Sequence, residues 1–247
     1  MSTILVTGAT DGLGRALARE LVARGHEVVV HGRSRDRAEA VASEIGGAQV
    51  EVADFARLDD VRALGAVQGI DVLVNNAGII AARRQLSADG IELTFQVNHL
   101  AGFLLTLLML PPRTVNVASV GQREPDLDDL MLERGYEGYD AYARSKLAQI
   151  MFTFELAKRR PDLMVNALHP ATLMDTKMVH EWFGRTRSTI AEGVEATAAL
   201  VERDDVCGRY FEGLREARAD HVAYDAEARR RLWDASAALT SAPPLAR

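Results

Sequence analysis

The sequence predicts an α/β protein built on one doubly wound parallel sheet with helices on both faces. Short valine-rich runs alternate with amphipathic segments along its 247 residues. The connections are short, and no repeat or interdomain linker interrupts the alternation. Continuous apolar runs are typical of strands buried on both faces, and strand–helix alternation is typical of parallel sheets. We therefore expect a single domain, 1–247, with about seven strands and a ligand site at their carboxyl ends.

Six segments are predicted to be strands because each is a short valine-rich run bounded by turn residues. They cover 4–8, 27–32, 48–54, 70–78, 114–119 and 164–170. Between the first two, LGRALARELVARG repeats apolar residues at steps of three and four, which predicts a helix that ends before Gly25. The apolar run from Leu100 to Leu110 is shorter than the roughly 20 residues of a membrane span and predicts a buried helix.

Composition and charge restrict the kind of partner. A net charge of -6 and a pI near 5.6 lack the basic footprint of a nucleic-acid-binding protein. The single cysteine, Cys207, excludes an internal disulfide and favours a reducing compartment. The start, MSTILVTGAT, lacks the charged and long apolar regions of a secretory signal. We expect a cytoplasmic protein with no nucleic-acid partner, no membrane span and no metal site.

A glycine-rich stretch, TGATDGLG, follows the first predicted strand and opens the first helix. Glycines let the backbone turn tightly and approach a phosphate, and a helix N-terminus offers unpaired N–H groups. The spacing is G-x-x-x-G-x-G, and an ordinary βα turn is the alternative interpretation. The loop residues expected to contact a nucleotide are Gly8, Thr10, Asp11, Gly12, Leu13 and Gly14.

The end of the second strand indicates which dinucleotide binds. An acidic residue there would bind the ribose hydroxyls of NAD, whereas an arginine accommodates the 2′-phosphate of NADP. This chain has Gly32 in place of the acid, followed by Arg33 and Ser34. A guanidinium can hold a phosphate with two parallel hydrogen bonds, and the serine can add a third. A solvated helix start is the alternative, but we expect NADP(H) in preference to NAD(H).

The ends of the third and fourth strands carry further candidates. Asp54 could accept from the adenine amino group, with Phe55 beside the ring, or it could cap the helix FARLDDVRAL, and both interpretations stay open. In NNAG, the amide of Asn76 can tie neighbouring strand ends together. The small residues Ala77 and Gly78 permit close approach to the cofactor.

Taken in order, TGATDGLG, NNAG, VNH, NVAS and YARSK resemble the short-chain dehydrogenase/reductase family over essentially the whole chain. The stretches SVGQ and YARSKLAQIMFTFELAKRRPDLMVNALHP are most similar to its retinol-dehydrogenase-like and protochlorophyllide-reductase-like branch. The resemblance implies a Rossmann fold whose last strand includes 208–211. It also implies a cofactor half of about 1–120 and a catalytic and substrate half of about 119–247.

The family's catalytic positions correspond to Asn98, Ser119, Tyr142 and Lys146. Reduction of a carbonyl needs a proton donor at the oxygen, and a lysine one helical turn from the tyrosine would lower the pKa of its phenol. The resemblance implies that Ser119 donates to the substrate oxygen and that Asn98 holds a relay water. A buried tyrosine, a capping serine and an asparagine in a helix kink are the structural alternatives. Tyr139, also on the face of Lys146, is expected to line the pocket.

After the sixth strand, HPATLMDT departs from the family's Pro-Gly-x-x-x-Thr pattern. Ala171 replaces the glycine, and one extra residue precedes Thr176. The resemblance places Pro170 against the cofactor and leaves the nicotinamide contact open between Thr172 and Thr176.

The segment 173–188, LMDTKMVHEWFGRTRS, corresponds to the family's substrate lid and is called the lid here. Its apolar and aromatic side chains suit a lipophilic small molecule, although they could equally pack the lid against the body. The candidates for substrate contact are Met174, Met178, Trp182 and Phe183.

The segment from Asn98 to Ser119 spans 21 positions (119 minus 98) and is shorter than is usual in the family. Helices of this region commonly build the family's oligomer interface, so a homo-oligomer stays open. The expected function is NADP(H)-dependent interconversion of a carbonyl and an alcohol. An epimerase or dehydratase of the same fold is one alternative, and an NADP-binding regulatory or sensor protein is the other.

Overall fold

The computed structural model describes residues 1–245 and contains one eight-stranded sheet. The strands are β1 (Thr3–Val6), β2 (Glu27–Gly32), β3 (Gln49–Val52), β4 (Val72–Asn75), β5 (Arg113–Val117), β6 (Met164–His169), β7 (Tyr210–Glu212) and β8 (Arg215–Glu216). The α-helices are α1 (Gly12–Ala23), α2 (Arg35–Glu44), α3 (Leu58–Gly65), α4 (Leu93–Phe95), α5 (Ala101–Met109), α6 (Gly138–Arg159), α7 (Lys177–Phe183), α8 (Ile190–Glu202) and α9 (Ala226–Thr240). A π-helical turn, Gln96–Leu100, joins α4 to α5, and a 3₁₀ turn, His221–Tyr224, precedes α9.

The strand order is β3-β2-β1-β4-β5-β6-β7-β8, and β1 to β7 are parallel. The predicted doubly wound sheet is therefore confirmed. The unpredicted strand is β8, an antiparallel pair of residues at the edge, where Glu216 lies opposite Phe211. The order reverses between β1 and β4, and such a switch point opens a crevice at the carboxyl ends of the strands.

Successive side chains of a strand face opposite sides of the sheet, so the core forms two layers. In β1, Leu5 faces the layer built with α3, α5 and α6, whereas Ile4 and Val6 face the layer built with α1, α2 and α8. All three side chains are 0% exposed, as expected for a central strand covered by helices on both sides. The predicted domain, 1–247, stays a prediction, because its last two residues lie outside the described part.

The last helix, α9, packs across α6 and touches α5. Trp233 meets Phe103 at a ring-centroid distance of 5.1 Å, and the Arg159 guanidinium lies 4.3 Å from the Trp233 ring. The Ser236 hydroxyl lies 2.9 Å from Nε2 of His99 in the π-helical turn. Part of the α5–α6 surface is thus covered by the chain itself. Within residues 1–245, no helix combines the length and apolarity that crossing a bilayer requires.

Candidate active site

Two helical segments bring the predicted catalytic side chains together at the carboxyl ends of β4 and β5. Tyr142 and Lys146 lie on α6, whose first turn is capped by the Glu137 carboxylate. Asn98 lies in the π-helical turn, and Ser119 follows β5 by two residues. A Cβ built on Gly78 would lie 3.4 Å from Asn98 Oδ1 and 3.5 Å from Lys146 Nζ, so Gly78 lies beside both groups.

The glycine loop between β1 and α1 approaches its neighbours as closely as a dinucleotide cradle requires. Gly8 and Gly12 have φ of +64° and +49°, in the left-handed region that favours glycine. A Cβ on Gly14 would collide with the Gly8 carbonyl and lie 2.5 Å from Asn76 Nδ2. The loop leads directly into the N-terminus of the 12-residue α1. These features fit a bound pyrophosphate.

The other loop residues have distinct positions. Asp11 caps α1 by accepting from the Gly12 N–H at 2.8 Å. The Thr10 methyl group packs against Gly32, where a Cβ would collide with it. Leu13 is 6% exposed and belongs to the core, so its backbone is the part available to a ligand.

The NNAG segment ties the glycine loop to β4. Asn76 Nδ2 donates to the carbonyls of Thr7 at 2.7 Å and Gly8 at 3.3 Å. Ala77 lies so close that a Cβ on Gly8 would come within 2.9 Å of its Cα. The predicted amide tie between strand ends is therefore present in the structure.

At the end of β2, Arg33 is exposed and has no ion pair within residues 1–245. Its neighbours are engaged, because Arg35 pairs with Glu39 at 3.4 Å and Arg37 with Asp11 at 3.2 Å. Ser34 occupies the N-cap position of α2, but its hydroxyl makes no capping hydrogen bond. A guanidinium and a hydroxyl that is not used for capping therefore follow one another at the end of β2.

One interpretation at the end of β3 needs correction. The N-cap of α3 is Arg57, and Asp54 instead accepts from the Ala56 N–H at 3.0 Å in the preceding turn, so Asp54 does not cap that helix. Phe55 is 5% exposed and its ring stacks on His31 at a centroid distance of 4.7 Å, and its contact with the adenine stays a prediction.

Lys146 is held by two acceptors inside the site. Its Nζ donates to the Val117 carbonyl at 2.8 Å and to Oε1 of Gln149 at 2.9 Å, and it lies 5.5 Å from the centroid of the Tyr142 ring. Burial lowers the pKa of Lys146 to about 7. Sequence reasoning missed Gln149, although its position three residues after the lysine on one helix face would have indicated the contact.

The Tyr142 phenol is buried in the site and carries its proton at neutral pH. Burial raises the pKa of Tyr142 to about 12, while a hydrogen bond with Ser119 acts in the opposite direction. The expected lowering of this pKa by Lys146 is not found, because removal of the phenol from water dominates. At neutral pH the phenol therefore carries its proton and can donate it.

Ser119 is fixed from both sides. Its hydroxyl accepts from the Gly121 N–H at 3.0 Å. Its carbonyl accepts from Gln122 Nε2 at 3.0 Å and from the Tyr210 hydroxyl at 3.2 Å. The hydroxyl is thus held beside Tyr142 at the position where a substrate oxygen would be polarised.

Asn98 uses its amide to join the β4 end to α6. Oδ1 accepts from the Ile79 N–H at 2.8 Å, while Nδ2 donates to the Ile79 carbonyl at 3.0 Å and to the Ser145 hydroxyl at 2.9 Å. The side chain is 1% exposed, and both of its N–H donors are engaged. The relay water at Asn98 stays a prediction.

The two threonines after β6 occupy different places. The Thr172 hydroxyl lies 3.1 Å from His169 Nε2, next to the buried Pro170. Thr176 caps α7, and its methyl group lies 3.4 Å from a Cβ built on Gly12 of the glycine loop. Thr176 is therefore the threonine that approaches the phosphate cradle, and the contact of Pro170 with a cofactor stays a prediction.

Aromatic side chains of the lid meet the start of α6. The ring of Tyr139 stacks on Tyr142 at 6.1 Å, and Phe183 meets Tyr139 edge-on at 5.6 Å. Trp182 reaches to within 2.5 Å of a Cβ built on Gly138. Tyr139 and Phe183 are 36% and 37% exposed, so apolar surface is available at the mouth of the site.

The two methionines of the lid differ. Met178 lies on α7, a helix in which no residue is buried. Met174 packs into the core, where its sulfur fills the space beside Gly193 of α8, and a Cβ on that glycine would lie 3.3 Å from Leu13. Met174 is only partly buried, and its contact with a substrate stays a prediction.

Comparison with known proteins agrees with this geometry. The short chain dehydrogenase family model matches residues 2–186. Human (Homo sapiens) retinol dehydrogenase 13 is 34% identical over 96% of this chain and 84% of its own length. A Streptomyces sp. (strain C5) protein proposed to be a daunorubicin C-13 ketoreductase is 35% identical over 96% of this chain and 91% of its own. A solved Mycobacterium paratuberculosis protein of uncharacterised function superposes with a TM-score of 0.85 at 33% identity, covering 99% of this chain and 96% of that one. The chain belongs to the short-chain dehydrogenase family.

Proposed function

We propose that this oxidoreductase uses NADP(H) to interconvert a carbonyl and an alcohol on a lipophilic small molecule. The observation that carries the proposal is the placement of Tyr142, Ser119 and Lys146 at the same sheet edge as the glycine loop. The nicotinamide of the dinucleotide would supply or accept the hydride, and the protein supplies the proton and the orientation. The retinol dehydrogenase and ketoreductase names of its relatives support this reaction class.

In the reducing direction, the Tyr142 phenol donates its proton to the carbonyl oxygen as negative charge develops there. The Ser119 hydroxyl, held by its hydrogen bond from Gly121, donates a second hydrogen bond to the same oxygen. Lys146, held by the Val117 carbonyl and Gln149, would bind the ribose hydroxyls of the cofactor. Proton donor and polarising group thus act on one oxygen atom.

NADP(H) is favoured because Arg33 is an exposed cation with no carboxylate partner within the described residues, at the end of β2. Ser34 adds a hydroxyl that is not used for capping. The glycine loop, with Gly8, Gly12 and Gly14, would hold the pyrophosphate, and Thr176 would approach it from the lid.

A lipophilic substrate is favoured by the exposed aromatic surface of Tyr139 and Phe183 beside Tyr142. Trp182 and Met178 extend this surface along α7. Within the proposal, the protein acts in the cytoplasm, consistent with the free thiol of Cys207.

The proposal is tested by following the absorbance of NADPH and NADH separately against a panel of aldehydes, ketones and quinones. We expect NADPH to be oxidised by at least one lipophilic carbonyl, and faster than NADH. Tight NADPH binding without oxidation by any member of the panel would instead favour the regulatory or sensor alternative. A preference for NADH would contradict the assignment of Arg33.

Replacing Arg33 with alanine is expected to weaken NADPH binding roughly ten- to a hundredfold, because a charge-assisted contact to the 2′-phosphate is lost. NADH affinity should change little, because NADH lacks that phosphate. The matched control is Arg35→Ala, since Arg35 is exposed on the same helix start but pairs with Glu39. Fluorescence titration with both dinucleotides measures the effect, and equal losses for NADPH and NADH would contradict it.

A further inference from the structure

A histidine interrupts the valine run of β2 and is buried beneath the nucleotide edge. His31 is 3% exposed, and both of its ring nitrogens are engaged. Nδ1 lies 3.2 Å from the Gly8 backbone nitrogen and accepts its N–H. Nε2 lies 3.1 Å from the Ala53 carbonyl oxygen. Because the amide can only donate and the carbonyl can only accept, the ring is neutral, with its proton on Nε2.

The two partners of His31 belong to different parts of the cofactor site. Gly8 begins the glycine loop, while Ala53 directly follows β3 and precedes Asp54. The His31 backbone adds a third tie, because its carbonyl accepts from the Ala9 N–H at 2.8 Å. One residue of β2 therefore links the loop that would cradle the pyrophosphate to the strand end that would meet the adenine.

Stacking on Phe55 and removal from water keep the imidazole in place and neutral. The Phe55 ring stacks on it at 4.7 Å with an interplanar angle of 24°. Burial lowers the pKa of His31 to about 4, against the opposing effects of the Ala53 carbonyl and the Asp54 charge. The acceptor at Nδ1 is thus present throughout the neutral range.

The Gly8 N–H is not available to the phosphates of a ligand. It points inward to His31 and is not presented to a ligand, so the phosphates would be met by later N–H groups at the start of α1. Without the His31 acceptor, the Gly8 N–H would not be restricted to this direction, because glycine populates many backbone conformations.

We propose that His31 is a positioning residue for the dinucleotide, which sets the turn at Gly8 relative to the end of β3. The proposal rests on the proposed function in taking a dinucleotide as the occupant of the site. His31 touches neither substrate nor the reacting atoms, and it acts through the backbone of the loop.

Two matched variants separate the two hydrogen bonds of the ring. In His31→Asn, the side-chain oxygen stands near the place of Nδ1 and can still accept from Gly8. In His31→Gln, the longer amide reaches the place of Nε2 and can still donate to Ala53, but the Gly8 amide loses its acceptor. We expect H31Q to raise the Kd for NADPH about five- to tenfold and H31N less than about threefold. The kcat at saturating NADPH should stay within about twofold in both, because the reacting groups are untouched.

Urea unfolding of both variants supplies the control for a merely structural role. Each variant loses one buried hydrogen bond, so their stabilities should fall by similar amounts while their NADPH affinities diverge. Affinities that fall equally in the two variants, or a kcat that falls as much as kcat/KM, would overturn the proposal.

Amide hydrogen exchange at Gly8 in the ligand-free protein tests the tether independently of any dinucleotide. Faster exchange in H31Q than in H31N supports the assignment, and equal exchange overturns it. If the unmodified chain binds neither NADPH nor NADH, the proposed function and the dinucleotide role of His31 both fail. The exchange result then still decides whether the Gly8 contact exists.

Discussion

Replacing Tyr142 with phenylalanine is expected to reduce kcat for carbonyl reduction by roughly a hundred- to ten-thousandfold, the usual contribution of a positioned general acid. The phenol is the proposed proton donor, and burial raises its pKa to about 12, so it is protonated at neutral pH. The Kd for NADPH should stay within about twofold of that of the unmodified protein, because the phenylalanine ring keeps the packing against Tyr139. Stopped-flow turnover and fluorescence titration of the two proteins measure both quantities.

The matched control is Tyr139→Phe. Tyr139 lies on the same helix face, stacks on Tyr142 at 6.1 Å and is 36% exposed. Loss of its hydroxyl should alter KM for the substrate and leave most of kcat. Retained turnover in Tyr142→Phe, or an equal loss in the two variants, would refute the assignment of Tyr142 as the acid.

Acid is expected to destabilise the fold steeply between pH 6.5 and 5, because three histidines are buried in their neutral form. Burial lowers the pKa of His99 to about 3 and the pKa values of His31 and His169 to about 4, with the charge of Lys146 contributing at His169. Below about 6.5 the unfolded chain binds protons that the folded chain does not, so the free energy of unfolding falls as pH falls. Each histidine contributes a slope of about 1.4 kcal/mol per pH unit once its unfolded form is protonated.

Urea unfolding at several pH values between 7 and 5 measures this slope. In His99→Gln, the amide can still reach the Ser236 hydroxyl but cannot titrate. The slope should therefore be smaller by about 1.4 kcal/mol per pH unit, the contribution of one bound proton. A free energy of unfolding that stays flat down to pH 5, or an unchanged slope in the variant, would contradict the prediction.

Local patterns were enough to predict the sheet and the outline of the candidate site. The valine-rich runs and the glycines that end them depend on neighbours only a few residues away, so their places could be predicted from the sequence. The proximity of Tyr142 and Lys146 follows from their spacing of four residues, which places both on one face of a helix. The turn at Gly8 and the exposed cation of Arg33 likewise lie at strand ends, where the residue types predicted them.

The features that the sequence did not predict mostly depend on contacts between distant segments or on burial in the core. Phe55 follows a strand end, but its ring lies under β2, against a histidine 24 positions earlier (55 minus 31). Met174 belongs to the lid by position, yet its sulfur packs beside Gly193 of α8. The pKa of Tyr142 depends on how completely the folded chain removes the phenol from water, which spacing along a helix does not determine.

The position of α9 also affects how the protein is made. Trp233 and Ser236 complete the packing around Phe103 and His99, which lie well over a hundred residues earlier in the chain. A nascent chain on the ribosome can pair its early strands, but the turn that carries Asn98 lacks this cover until residues 226–240 have emerged. During that interval, apolar side chains of α5 and α6 are exposed, and this is when we expect chaperones to bind the chain.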